Sequence, residues 1–301
     1  MKTDLRTLDL NLLKALDALL DERSVTRAAE RLSLTQPAVS GMLTRLRECF
    51  DDPLFTRAQR GIVPTLRAQE LAQPVKAILS EVSALLQPKQ FDPITAEMTI
   101  NIAATDYALR AVIVPFMAAL RRQAPGIGVA VLPVNNEQLA QQFERGAVDI
   151  ALITPESTPP ELHARTLYDE EYVCLMRDDH PLAAHAALSL DDFCAQDHAL
   201  VSYIGGSFAG VTDSALAAVG RSRRVTLSVC SFLVLPEILR VSDLISVVPR
   251  RLALHHTGLK VFTPPLEIQG FSKTVAWHEQ THRDPGYRWL RELLFSTVQS
   301  V

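Results

Sequence analysis

The chain is poor in cysteine, has no long apolar run, and carries no large excess of charge of either sign. Its four cysteines, Cys49, Cys174, Cys194 and Cys230, lie 125, 20 and 36 residues apart. None of these spacings belongs to a zinc knuckle or a redox C-x-x-C pair, and so few thiols make no disulfide scaffold. They read as ordinary thiols of a reducing compartment. The longest clean apolar stretch, 111–120, contains Pro115 and is too short to span a bilayer. Near the start, Asp4, Arg6 and Asp9 interrupt any apolar segment, so no signal peptide and a cytoplasmic location are expected. A net charge of −4 excludes a global basic field.

Signatures of catalysis and of cofactors are also missing. Gly205-Gly-Ser-Phe-Ala209 nearly spells a nucleophile elbow, but Ala209 stands where G-x-S-x-G needs its last glycine. The histidines, including His255-His256, show no H-E-x-x-H or other metal spacing. Neither a P-loop nor a G-x-G-x-x-G turn occurs. The expectation is a protein that is not an enzyme, with no cofactor, no catalytic residue and no bound metal.

What is present is enough apolar residue, 48% of 301, for a substantial core in two domains. Residues 1–65 hold ten Lys/Arg against nine Asp/Glu, a net +1 that leaves −5 for the rest. Leu10, Leu13, Leu16, Ala18 and Leu20 give a helical stripe. Ser24 and Thr35 read as N-caps of two further helices, over 24–32 and from 35 to Phe50, with Pro37 in the first turn of the second. Two short strands around a Gly61 turn close the segment at 65. A connecting helix over 66–90 follows. In it Leu71, Val75, Ile78, Val82 and Leu85, spaced 4, 3, 4, 3, form an a/d seam that is either a dimer contact or a face packed on its own domain, with Pro74 as a possible kink. From Phe91 onward strands and helices alternate: strand 98–105, helix 107–123, strand 128–134, helix 137–145, strand 149–153. This pattern favours a parallel sheet covered on both faces. A second set begins near 172 and the chain returns for a last strand and helix over 274–298, so two α/β lobes are expected, about 91–165 with 268–301, and about 166–267.

Within 24–46, Ala28 and Ala29 allow two helices to cross closely while Val39 and Leu43 fill the far side. The outer face of the second helix then shows Gln36, Ser40, Thr44 and Arg47. Such a helix fits a major groove, where Gln pairs with adenine and Ser suits several acceptors. Arg45, Arg57 and Arg60 are candidates for phosphate or minor-groove contacts. An αα-hairpin with an ordinary polar face is the plainer alternative, and the basic turn beside it favours DNA.

Here the chain resembles the LysR-type transcriptional regulators. Asp9-Leu-Asn-Leu-Leu13, Ser24-Val-Thr-Arg-Ala-Ala29, Thr35-Gln-Pro-Ala-Val-Ser40 and Asp52-Pro-Leu-Phe-Thr-Arg57 match the family's pattern in order and spacing. Phe91-Asp-Pro93 and Ala103-Ala-Thr-Asp106 resemble its nodulation and aromatic-degradation subgroup. The resemblance implies an α/β protein with an N-terminal winged helix-turn-helix, a dimerising linker helix and a two-lobed effector domain like periplasmic binding proteins. It implies a homotetramer that bends promoter DNA in response to a small molecule between the lobes, with RNA polymerase as a further candidate partner. It places Gln36, Pro37 and Ser40 at base edges and Arg57 or Arg60 in the minor groove. Many members have arginine directly after that serine; this chain has Gly41.

Ligands of open α/β sheets sit beyond the carboxyl ends of strands. Thr105, Asp106 and Tyr107 follow the first strand, Thr154 the third, and Tyr203, Ser231 and Phe232 close strands of the second set. These are the candidate effector residues. Asp106 is alternatively a plain helix cap. Aromatic walls with hydroxyl donors suit an aromatic or carboxylate ligand. A solute-binding receptor without a DNA role is the rival reading.

Overall fold

The computed structural model describes residues 8–59, 61–87, 90–202, 205–253 and 256–298. The chain divides into two compact units, 1–88 and 89–301.

The first unit begins with three helices, α1 (Leu10–Glu22), α2 (Val25–Leu32) and α3 (Gln36–Phe50). Each starts where a short polar side chain accepts from N–H groups that the helix itself leaves unpaired. Asp9 takes those of Asn11 at 2.7 Å and Leu12 at 3.1 Å, Ser24 that of Arg27, and Thr35 that of Ala38. The apolar positions at helical spacing form the core: Leu12, Leu16 and Leu19 meet Ala28, Ala29, Val39, Leu43 and Leu46. An antiparallel wing follows, β1 (Phe55–Ala58) with β2 (Gly61–Pro64). Its attachment depends on a glycine. Gly61 has φ +102° and a Cβ there would stand 2.4 Å from the Arg23 carbonyl oxygen, which accepts from Ile62 N–H at 3.1 Å.

Helix α4 (Leu66–Leu86) runs through Pro74 without ending. Its N-terminal half belongs to the domain core, since Ala68 and Val75 are buried and Leu71 and Leu79 pack on the same cluster. Lys76 pairs with Asp21 of α1 at 2.9 Å. The a/d seam is therefore divided. Leu71 and Val75 are committed to their own domain, whereas Ile78 is 44% exposed and Leu85 82%.

In the second unit β3 (Met98–Ala104) passes through α5 (Asp106–Ala108) and a π-helical turn, Leu109–Ile113, into α6 (Val114–Gln123). Next come β4 (Ile127–Leu132), α7 (Leu139–Glu144), β5 (Ile150–Ile153), β6 (His163–Glu170) and β7 (Tyr172–Arg177). Then follow α8 (Leu190–Ala195), β8 (Asp197–Val201), α9 (Val211–Ala218), β9 (Arg224–Val229) and α10 (Leu235–Arg240). The remainder is β10 (Ser246–Pro249), α11 (Arg250–Ala253), β11 (Leu259–Phe262), β12 (Phe271–Trp277), α12 (Glu279–His282) and α13 (Pro285–Val298).

Lobe I is a five-stranded sheet of order β4-β3-β5-β12-β6. Its first three strands are parallel, as the alternating pattern predicts, and β12 runs antiparallel to both neighbours. In lobe II, β10-β7-β11 is antiparallel and β8-β9 parallel. Ala199 N–H to Ile245 O at 2.9 Å and Ile245 N–H to Asp197 O at 3.0 Å join the two pieces into the order β9-β8-β10-β7-β11. The sequence reading lacked β6. It is an edge strand, His-Ala-Arg-Thr-Leu-Tyr-Asp-Glu, half of it exposed, and so has no apolar alternation to betray it. Lobe II is fastened internally by Arg223, whose side chain is 1% exposed and pairs with Asp213 at 2.9 and 2.8 Å. Its third nitrogen donates to His198 Nδ1 at 3.2 Å while His198 Nε2 donates to the Phe193 carbonyl. Burial holds His198 down to about 4, so the ring is neutral and can accept from the arginine.

The lobes share one apolar core, in which Val112, Ile113 and Phe116 meet Leu235, Leu239 and Leu252. Polar groups are buried beside it where the chain crosses between lobes. The Tyr107 hydroxyl donates to Glu170 and meets the Tyr168 hydroxyl at 2.9 Å. Arg251 lies 4.1 Å over the Tyr168 ring and 3.9 Å from Glu170. Burial raises the Glu170 carboxyl above its ordinary range, partly offset by the Tyr107 hydrogen bond and the arginine. Burial also lifts Tyr168 to about 12. Lys273, only 3% exposed, is pushed down to about 8 for the same reason.

Because Lys273 holds its proton less tightly folded than unfolded, the cost of its buried ammonium is full below about pH 8 and fades as pH rises toward 10.5. Lys273→Met is expected to stabilise the protein by roughly 3 kcal/mol near pH 7. Denaturant titrations on either side of that window should show the gain shrinking with pH. A gain that persists unchanged would be one of packing, not charge.

Candidate DNA-reading face and ligand cleft

Helix α3 has two unlike sides. Val39, Leu43 and Leu46 are buried, and Gln36, Pro37, Ser40, Gly41 and Thr44 are all exposed on the opposite face. The Thr44 hydroxyl donates back to the Ser40 carbonyl at 3.1 Å, which leaves its oxygen as an acceptor. Arg45 pairs with Asp9 at 3.3 Å, both about half exposed; an exposed pair of this kind is weak and readily exchanged for a phosphate. Arg47 departs from the expected outer face. Its Nε donates to the Pro53 carbonyl at 2.8 Å and its Nη2 to that of Phe55 at 3.3 Å, so it braces the loop between α3 and the wing. Arg57 is exposed on β1, and Arg60 lies outside the described residues. A Cβ added at Gly41 would meet nothing within 4 Å, so the smallest residue here leaves open space on the outer face of α3.

In the second unit Thr105, Asp106 and Tyr107 follow β3, Thr154 follows β5, and Ser231 and Phe232 follow β9, all beyond strand carboxyl ends. The structure joins the first and last groups. Phe232 N–H donates to Asp106 Oδ2 at 2.7 Å and Leu233 N–H to the same oxygen at 3.4 Å. The cap of α5 is Thr105, which accepts from Ala108 N–H, so Asp106 is not that cap and reaches across to lobe II. Tyr107 is buried, its hydroxyl committed to Glu170, its ring 5.9 Å from Phe232 and 5.8 Å edge-on from Phe271. The Thr154 hydroxyl meets that of Ser157 at 3.3 Å, and Ser231 Oγ accepts from Leu233 N–H at 3.2 Å. Tyr203 lies outside the described residues.

Sequence reasoning missed a large opening. A cavity of about 1090 Å³ lies between Glu156, after β5, Val211, Ser214 and Ala215 of α9, and the return crossover from Glu267 to Phe271. Position in the chain gives no hint that 267–271 borders a cleft. The one local signal is Gly270, where a Cβ would stand 2.1 Å from the Glu170 carbonyl oxygen, so that the two crossovers touch main chain to main chain.

Two clusters among the described residues bear on metal and nucleophile chemistry. Among the described residues, His163, Glu279 and His282 bring donor atoms within 4.8 Å of one another. Trp277 Nε1–H donates to His282 Nδ1 at 3.0 Å, which leaves the neutral ring's proton on Nε2. The His163 and His282 rings also stack at 4.1 Å and 16°, so their lone pairs lie in near-parallel planes instead of converging on an ion. The hydroxyl of Ser207, in the near-elbow, is closed onto Ala209, donating to its carbonyl at 2.7 Å.

Comparison with known proteins agrees with this anatomy. Residues 10–69 match the bacterial regulatory helix-turn-helix proteins of the lysR family, and residues 95–299 the LysR substrate binding domain. The HTH-type transcriptional activator NagR of a Ralstonia species is 38% identical, over 96% of this chain and 97% of its own. NahR of Pseudomonas putida, also an HTH-type transcriptional activator, is 36% identical over 97% and 98%. A solved structure of a probable transcriptional regulator from Pseudomonas aeruginosa superposes with a TM-score of 0.60 at 32% identity, covering 96% and 97%. These relatives are regulators and not enzymes, and none supports a receptor without a DNA role. The chain belongs to the LysR family of bacterial transcriptional regulators, with a winged helix-turn-helix domain and an effector-binding domain of two α/β lobes.

Proposed function

We propose that this protein is an activator that anchors on promoter half-sites through α3 and changes the DNA bend when a small molecule occupies the cleft between its lobes. The observation that carries the DNA half is the two-sidedness of α3, whose polar residues are free of the core while the opposite face holds the domain together. Gln36, Pro37 and Ser40 meet base edges, with Thr44 beside them. Arg45 and Arg57 contact phosphate or the minor groove, and Arg60 is assigned there by its place in the sequence. Two copies join along the outer half of α4, where Ile78, Leu85 and Leu86 stand exposed, and pairs of dimers give a tetramer on successive half-sites. RNA polymerase is the partner to which the bend is presented. In the cleft, Phe232 and Phe271 supply aromatic walls, with Thr154 and Ser231 at the strand ends as polar contacts. An aromatic effector suits these walls.

A nuclease footprint on the region upstream of the protein's own gene, across a salt series, tests the reading. Extended protection is expected, weakening with a log–log slope of about −4 to −5 for ~4–6 phosphates per dimer; absence of specific protection there and genome-wide would overturn it. Gln36→Ala and Ser40→Ala should each reduce discrimination between cognate and altered half-sites by roughly 1–3 kcal/mol. Uniform weakening would instead make them positioning contacts. Gly41→Arg, which has room, should tighten binding to every sequence and steepen the salt slope by about one. Finally, Ile78→Glu with Leu85→Glu should lower the sedimenting mass while the helical circular dichroism of the folded chain is kept, since both side chains are exposed in the single chain. An unchanged mass would remove α4 from the dimer contact.

A further inference from the structure

One carboxylate crosses the cleft. Asp106 belongs to lobe I, and its Oδ2 accepts two successive main-chain N–H groups of lobe II, Phe232 at 2.7 Å and Leu233 at 3.4 Å. Two adjacent N–H groups aimed at one point make a seat for a carboxylate oxygen, and here the chain fills it from its own opposite lobe. The surroundings hold both parts in place. Asp106 Oδ1 takes the N–H of Tyr107 at 2.8 Å, and the Tyr107 hydroxyl is anchored on Glu170. On the other side the Leu233 N–H is shared with Ser231 Oγ at 3.2 Å, and that of Phe232 is given to Asp106 at 2.7 Å. Capping does not account for Asp106, because Thr105 does that work.

Arg251 is already engaged with Glu170 and the Tyr168 ring. Glu156 and Glu267 border the large cavity, and no lysine or arginine is among the described residues that line it. A free carboxylate must therefore displace a tethered one whose local concentration is on the order of millimolar or higher.

We infer that Asp106 is a latch built into the cleft: a carboxylate supplied by the protein that ties the lobes together at 106–232 and bars carboxylate ligands from that seat. The effector of this chain is then a neutral or cationic molecule with an apolar body. Its aromatic character is retained from the reading above; the carboxylate that the sequence suggested for it is already present as Asp106. The inference rests on the cleft being the effector site, and the test separates the two.

The experiment uses the full chain as wild type, Asp106→Ala and Asp106→Asn, with sodium formate as the probe and sodium chloride at equal ionic strength as the control. Asp106→Ala should melt lower than wild type and bind formate saturably at least about tenfold more tightly, since the tethered competitor is gone. Formate, and not chloride, should restore part of its melting temperature. Asp106→Asn, which keeps an acceptor oxygen in place, should fall between the two and guards against a folding defect specific to alanine. Equal formate binding by wild type and Asp106→Ala would overturn the latch, as would an alanine variant with an unchanged melting temperature and no formate response. The DNA footprint of the same variants reads the cleft's role separately. A changed footprint length in Asp106→Ala supports control of DNA binding by the cleft, and an unchanged one overturns that control while leaving the formate result to decide the latch.

Discussion

Glu170 is a carboxylate buried at the point where the chain leaves lobe I, and the arrangement of the second unit depends on its partners. A buried acid without partners would be severely unfavourable. Tyr107 of lobe I donates to it, and Arg251 of lobe II faces it while covering the Tyr168 ring. Tyr107 reaches Glu170 within lobe I, whereas Arg251 reaches it only with the two lobes set as they are. The same requirement fixes the turn that carries Tyr107, and so places its neighbour Asp106 opposite the main chain of Phe232 and Leu233. Glu170, Tyr107, Asp106 and Phe232 thus form one chain of contacts from the buried acid to the opposite lobe.

The first unit uses its residues differently. Its core is apolar and made by close crossing of short helices, with Ala28 and Ala29 at the crossing. Orientation comes from single contacts at the ends of elements: Asp9, Ser24 and Thr35 start the helices, Gly61 lets the wing approach α1, and Arg47 holds the loop between α3 and β1. This leaves the outer face of α3 with no structural duty. Residues there are free to be chosen for what they contact outside the protein, and in this chain one of them is a glycine.

Several readings were accessible in the sequence because they depend on local physics. Caps, helical periodicity and the Gly61 turn are decided within a few residues, and the order of four motif blocks carries the family. Others were not. The α4 repeat has one period but two uses, because α1 lies against only its first half; Leu71 and Val75 look no different from Ile78 and Leu85 until α1 is in place. Strand β6 is hidden by its edge position, since half of its residues are exposed and Leu167 is its one buried apolar side chain. Arg47 sits at the right spacing for a groove contact and yet turns to main-chain carbonyls of its own loop.

The helix-turn-helix, the wing and the alternating order of strands and helices were legible because each rests on short-range pattern, and the family because it rests on motif order. Tertiary structure alone decided what the acidic and cationic side chains do. Asp106 has the spacing of a cap and becomes a bridge, because Thr105 already satisfies the helix and a pair of N–H groups 126 residues later stands within reach. Lys273, Glu170 and Arg223 have no local feature that marks them as buried. Charge is long-ranged and its cost depends on everything packed around it, so its role is settled only when the chain has closed.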